Sequence, residues 1–396
     1  MRANNKTTKA IRRMRGALCA MAMGAALLLG GCGGGGGTSS TSTTTWPPTI
    51  APATSETNTY FGTQSPGLSS VTIDHTSNTF SYGSVSGNFT TVDGFLNLGS
   101  AGWALEMLSR AVLVVPPSGE SIFAIAAPAC QVIPTRTEFA YVATPNPNYG
   151  NGTTEDQITE TQVGSGVVGV SSTDSGQDWQ FGGEVQYILP NGNLLGPGLI
   201  FDPTPDPFSG TCAANSQNSS VIATSITVPS ELPANFVIGP TGFFIEDRSQ
   251  SDGMAFVGAV EPASPIDLSQ LSGATFLGAE NAVSFTYVFP AQLVSFAASA
   301  GSSGTGVQLA GGTFPSNNPA ATPAANITID LGPQDPNNNG YFPLATVTFS
   351  GSTSGFTAGV PYYGYAMVSN AGGKYSIFAV VGEGGPQRNG FLLFQQ

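Results

Sequence analysis

Charge is what this 396-residue chain has least of: Asp, Glu, Lys and Arg together make up 9%, against about a quarter in ordinary soluble domains. The basic sign is the scarcer, with 11 Lys and Arg against 24 Asp and Glu and a formal net charge of −13. Arg2, Lys6, Lys9, Arg12, Arg13 and Arg15 crowd the N-terminus, so only Arg110, Arg136, Arg248, Lys374 and Arg388 remain for everything after it. A chain so poor in cationic side chains lacks the basic surface that a phosphate backbone requires, which excludes nucleic acid as a partner. One histidine, His75, and four cysteines are too few, and wrongly spaced, for a Cys/His zinc site. Strong helix formers are sparse as well; only Pro265–Leu271 reads as a short helical turn. No G-x-S-x-G elbow occurs. Gly164, Gly166 and Gly169 match the spacing of a phosphate-binding loop, but they sit in an alternating stretch and open no helix.

What fills the chain instead is Gly, Ser, Thr and Asn interleaved with β-branched and aromatic residues. Val71-Thr72-Ile73-Asp74, Val112–Val115, Val221–Val228, Ile327–Asp330 and Ala345–Phe349 read as strands, each bounded by turn residues. Asp93-Gly94 is a tight hairpin signal. Such runs predict about 24 strands and an all-β protein.

A Gly–aromatic hairpin recurs. Its copies begin at Gly102 (GWALE, then SIFAIAAP), Gly242 (GFFIE, then AFVGAV) and Gly364 (GYAMV, then SIFAVVGE). The returning strands carry Phe123, Phe256 and Phe378. Glycine to phenylalanine spans 14 residues in the later copies and 21 in the first, where Ala111–Ser118 is read as part of the turn. The pattern divides the chain into three units that start near Thr59, Glu138 and Thr275. So many antiparallel strands must hide their edges. Radial repetition does this, so a β-propeller-like ring is expected, with about six small sheets from three pseudo-repeats. Its C-terminal strand would return beside the N-terminal one. Several β-barrels or sandwiches are the alternative. The stretch from Phe61 to Ser81, FGTQSPGLSSVTIDHTSNTFS, resembles one blade of lactonase-type propellers, without their other motifs, and no function follows from it.

Residues 1–31 read as a targeting segment: a positive start, then an apolar run, Ala17–Leu29, too short to span a bilayer. The run ends in Leu29-Gly30-Gly31-Cys32, which resembles the lipobox of bacterial lipoproteins. The resemblance implies cleavage before Cys32, diacylglycerol on its thiol and an acylated N-terminus. Gly33 stands where an aspartate often retains such proteins in the inner membrane, which points to the outer membrane. Loss of 1–31 would take the net charge from −13 to about −19, because six basic and no acidic residues leave. Residues 32–57, rich in Gly, Ser and Thr, read as a flexible tether. Residues 58–396 form the all-β region.

Few residues advertise chemistry. Cys130 and Cys212 are the two cysteines left after Cys19 and Cys32, and in an oxidising compartment they are expected to form a disulfide. Asp335, Asn337 and Asn339, followed by Gly340, match the opening of a calcium loop, in which alternate side chains supply hard oxygens. The position that should bring a bidentate glutamate is Thr346. Polar turn chemistry explains the same residues. His75 is the only candidate base and reads more simply as the start of a polar turn. Glu106 and Glu246 occupy matching places in two hairpins, while Asp202 and Asp206 each precede proline. Trp103, Trp179, Tyr187, Tyr362 and Tyr363 are candidates for stacking on sugars. A catalytic set remains unassigned. The expectation is a monomeric, lipid-anchored cell-envelope β-protein with a binding or structural role, taking a carbohydrate or an envelope protein. The alternative is a carboxylate-dependent, glycosidase-like hydrolase.

Overall fold

Two kinds of apolar pattern run through the chain, and the fold gives each its own place. In the computed structural model, the described residues are 57–63, 68–107, 111–118, 121–126, 133, 137–144, 164–172, 178–187, 208–215, 218–226, 234–247, 255–281, 291–301, 306–351, 356–370, 374–382 and 388–396. They form 25 strands, three short 3-10 turns and no α-helix. The first sheet contains β1 (Thr57–Thr63), β2 (Leu68–Asp74), β3 (Thr79–Tyr82), β4 (Val85–Asn88), β5 (Thr90–Val92), β6 (Phe95–Asn97), β7 (Trp103–Met107), β8 (Ala111–Val115) and β9 (Ile122–Ile125). The second contains β10 (Thr137–Thr144), β11 (Gly164–Ser172), β12 (Asp178–Tyr187), β13 (Phe208–Asn215), β14 (Asn218–Ile226), β15 (Ala234–Ile238), β16 (Phe243–Asp247) and β17 (Ala255–Val260). The third contains β18 (Thr275–Glu280), β19 (Gln292–Ala300), β20 (Val307–Thr313), β21 (Ile327–Asp330), β22 (Tyr341–Phe349), β23 (Pro361–Ser369), β24 (Ser376–Gly382) and β25 (Arg388–Gln395).

The second and third sheets are closed barrels in which each strand pairs with the next and the last returns to the first, β17 to β10 and β25 to β18. The first sheet follows the same circuit, with β9 beside β1, but β4 and β5 end the ladder. Only Phe89 separates them. Its buried ring turns inward and its N–H donates to the Asn78 carbonyl at 2.9 Å. Residues 85–92 therefore act as one bent strand that pairs with β3 before Phe89 and with β6 after it. The propeller expectation is corrected here. Closure of the second and third sheets on their own first strands, rather than radial repetition, removes their edges, the first sheet keeps only the short edge strands β4 and β5, and β25 meets β18 rather than the N-terminal strand. The alternative of several barrels fits this architecture.

The three boundaries read at Thr59, Glu138 and Thr275 fall in β1, β10 and β18, the opening strands of the three sheets. The hairpin repeat holds less well. Gly242 and Gly364 do lead into paired strands, with Glu246 opposite Phe256 and Met367 opposite Phe378. In the first copy, however, Ala111–Val115 is a strand, β8, inserted between β7 and β9. Its five residues are all buried, so both of its faces are covered and no turn residue marks it. Gly102 itself is required at its place: φ is 102°, and an added Cβ would lie 2.2 Å from the Val115 carbonyl oxygen.

Eight strands leave a barrel interior just wide enough for side chains to fill. The third sheet is filled by Phe276, Val294, Phe296, Leu309, Ile329, Val347, Ile377, Leu393 and their neighbours. Leu271 closes it from the 3-10 turn Leu268–Leu271, which Asp267 caps by accepting from Ser269 N at 3.0 Å. On the free wall, strands alternate: in β21 Ile327 and Ile329 point in, while Thr328 and Asp330 lie on the outer face. Where the three sheets meet, strands are apolar on both faces. Phe243 faces outward to a common core and Phe244 inward to Phe139 at 5.5 Å. The common core draws on all three sheets. At its centre Phe123 of β9, Phe243 of β16 and Phe378 of β24 contact one another, with ring centroids 6.5, 5.6 and 5.8 Å apart for the pairs 123–243, 123–378 and 243–378. Phe394 adds a fourth ring, 6.2 Å from Phe123. Continuous apolar runs such as Ala111–Val115 and Phe391–Phe394 thus mark strands wedged between a barrel interior and this shared core.

Candidate functional site

The best-formed polar constellation lies inside the first sheet. β2 ends at Asp74, whose Oδ1 accepts from the backbone N–H groups of Thr76 and Ser77 at 2.8 and 3.3 Å. Its Oδ2 accepts from the Ser77 hydroxyl at 2.7 Å. The Ser77 hydroxyl, with help from the Thr76 N–H, holds this carboxyl below its usual range. Asn78 closes the turn at φ 54°. His75 follows the inward-facing Val71 and Ile73 in parity, and its ring meets the Phe89 edge at 5.5 Å.

There His75 Nε2 lies 2.6 Å from Glu106 Oε2. Glu106 is on β7, on the inward face it shares with Ala104. Its other oxygen, Oε1, accepts from the hydroxyl of Tyr60 on β1, a residue with no exposed surface. Burial, and then the charge and hydrogen bond of Glu106, push the Tyr60 phenol far above its usual range, so it remains a donor. A second link crosses the same interior, from the Tyr82 hydroxyl to the Ala101 carbonyl at 2.6 Å. One carboxylate therefore bridges a buried phenol and a partly exposed imidazole, with the His75 and Glu106 side chains 28% and 11% exposed. Chemically this is an imidazole oriented by a carboxylate, the base-and-orienter half of a triad. Neither a serine nor a threonine hydroxyl is hydrogen-bonded to His75 among the described residues.

The other expected site residues are dispersed. Cys32, Cys130, Asp202 and Asp206 lie outside the described residues. Cys212 sits within β13, in register with Thr224 of β14. The expected Cys130–Cys212 bridge involves Cys130 and so falls outside the described residues. Glu246 belongs to β16, in the second sheet, whereas Glu106 belongs to the first. Among the aromatics, Tyr362 is buried and its hydroxyl accepts from Thr357 N at 2.8 Å. Trp103 packs against the common core. Tyr363 is 46% exposed on the outer wall of the third sheet.

The Asp335 loop has a structural task. Asp335 Oδ1 accepts from Asn337 N, Asn338 N and Asn338 Nδ2 at 2.8, 3.0 and 3.2 Å. Asn339 Nδ2 donates to the Pro262 carbonyl at 2.9 Å, and the loop thereby docks on the segment leaving β17. Beside it Glu261 is pushed up to about 7, first by burial and then by the charge of Glu138; the Asn339 N–H pulls the other way, and Asp335 adds to the rise. Among the described residues, no three His, Cys, Asp or Glu side chains converge as metal ligands.

Sequence reading singled out His75 and Glu106 separately and missed Tyr60 as their partner. Nothing local could join them, because Tyr60 and Glu106 stand 46 positions apart. The architecture defines a tandem of up-and-down β-rolls sharing a central apolar core. Compared with known proteins, the chain matches no family model and no curated protein.

Proposed function

We propose that this protein is a lipid-anchored component of a bacterial cell envelope, facing the periplasm or the surface, whose β-rolls serve a binding or structural role. The observation that carries the reading is Leu29-Gly30-Gly31-Cys32 behind a basic, then apolar, N-terminus. The outer wall of the third sheet supports it. There Gln308, Thr328, Asp330, Thr346 and Thr348 are in part exposed while the interior is apolar. A membrane-spanning barrel has the opposite arrangement, with an apolar band outside. Attachment by lipid fits this wall better than insertion by strands. The packed interior of the same barrel favours ligands taken on outer walls and loops, with the exposed Tyr363 suiting a sugar or a protein side chain. The competing reading, a carboxylate-dependent hydrolase, is weakened at Glu106, where both oxygens are already engaged.

Expression of the native chain and of Cys32→Ala with labelled palmitate tests the anchor. Label is expected in the native chain and lost in the variant, which should move from the membrane to the soluble fraction. Equal incorporation in both would overturn the reading.

A further inference from the structure

We propose that Glu280 is a proton-operated latch on the seam that closes the third sheet. Glu280 is the last residue of β18 and stands opposite Phe391 of β25, the strand pair that completes the barrel. It shares its face with Phe276, so its carboxyl points into the barrel, where it is 1% exposed. One oxygen, Oε2, accepts from Asn389 Nδ2 at 3.0 Å. The other, Oε1, is buried and has no hydrogen-bond partner among the described residues. Asn389 in turn accepts, through Oδ1, from the N–H of Asn281 at 2.6 Å. Asn281 takes φ 53° as the chain leaves the strand. These residues clasp β18 to β25 across the seam. Backbones approach closely at the same seam, where a Cβ on Gly278 would fall 1.8 Å from the Leu392 carbonyl oxygen. The pair cannot drift apart slightly to admit water without losing this fit.

The clasp tolerates a neutral carboxyl and penalises a charged one. An ionised Glu280 keeps one neutral hydrogen bond and leaves an anionic oxygen unsolvated in an apolar interior. The residues that share its face on the adjoining strands are Gln292 of β19, Asn389 and Phe391 of β25, and none carries a charge. Burial accordingly pushes the carboxyl up to about 7, and the Asn389 bond offsets only part of that rise. The sign follows. The folded seam holds its proton more tightly than the open chain does. Its contribution is complete below the ordinary carboxylate range and is lost as pH rises through about 7. Near-neutral pH therefore sets whether this barrel is firmly closed or free to open at β25.

Hydrogen exchange on the full-length chain in detergent, corrected for intrinsic rates, reads the latch directly. Segments 275–281 and 388–395 should open more readily at pH 8.5 than at pH 5, by roughly two orders of magnitude in the opening equilibrium. Glu280→Gln retains the bond to Asn389 and cannot ionise, so its seam should be insensitive to pH. Glu261→Gln, which removes another carboxyl that burial raises, should leave the seam response intact. Equal seam exchange at the two pH values in the native chain, or an undiminished response in Glu280→Gln, would overturn the proposal. A readout without any variant is the side-chain carboxyl resonance of Glu280 in selectively labelled native protein. Its midpoint is expected near 7, and one in the ordinary carboxylate range would equally refute the latch.

Discussion

Truncation of Phe378 to alanine is expected to lower the unfolding free energy by roughly 3–5 kcal/mol, the range for a large aromatic removed from a packed interior. Phe378 has no exposed surface and meets rings from every sheet: Phe123 at 5.6 Å, Phe243 at 5.8 Å and Phe394 at 6.3 Å. Its loss would remove both apolar burial and edge-to-face contacts that add about 0.5–1.5 kcal/mol each. The surrounding walls are ladders of strands, which collapse poorly into a void. Phe378→Leu, which refills much of the volume, should cost less than half as much. Urea unfolding followed by both tryptophan fluorescence and far-UV dichroism provides the measurement. Phe123→Ala combined with Phe378→Ala should also fall short of additivity, since each deletion removes part of the other's contacts. A cost below about 1 kcal/mol for Phe378→Ala would mean that the sheets do not depend on the shared core.

Removal of Glu106 is expected to be the next most damaging change, at roughly 2–3 kcal/mol for Glu106→Ala. The loss would strand the hydroxyl of fully buried Tyr60 and leave His75 without its acceptor. An unpaired donor in an apolar interior costs more than the bond itself contributed. Tyr60→Phe removes that donor, so in the Glu106→Ala background it should be nearly neutral or stabilising, although it is destabilising alone. The cycle of single and double variants should show coupling of about 1 kcal/mol or more. Strict additivity would show that the carboxylate and the phenol do not depend on each other.

Neither effect could be anticipated from local pattern, and the reason is the same in both. The meeting of Phe123, Phe243 and Phe378 is a contact between sheets, and the phenylalanine assigned to the middle repeat by spacing was Phe256, one strand too late. Glu106 meets His75 and Tyr60 across a rolled sheet, at separations of 31 and 46 residues. Periodicity assigns a side chain to a face but not to a partner.

What the amino-acid sequence determined by itself was the all-β class, the opening of each unit in β1, β10 and β18, and the character of the individual strands. These are encoded within a few residues: β-branched and aromatic side chains favour a pleated, half-buried surface, and Gly, Asn and Asp end it. Even Asp335, whose spacing suggests a calcium loop, follows local turn chemistry by accepting from its own loop's N–H groups. Only the tertiary structure decided that the sheets close as rolls rather than open as propeller blades. The first and last strands of each sheet must find one another across most of a unit, as Phe61 finds Ile125 and Ala140 finds Ala259. That choice depends on strand twist and stagger summed around the sheet, quantities that no short stretch of residues carries. The same closure placed Glu280 beside Asn389, 109 positions away, and so made a carboxyl in an ordinary-looking strand end into a buried one.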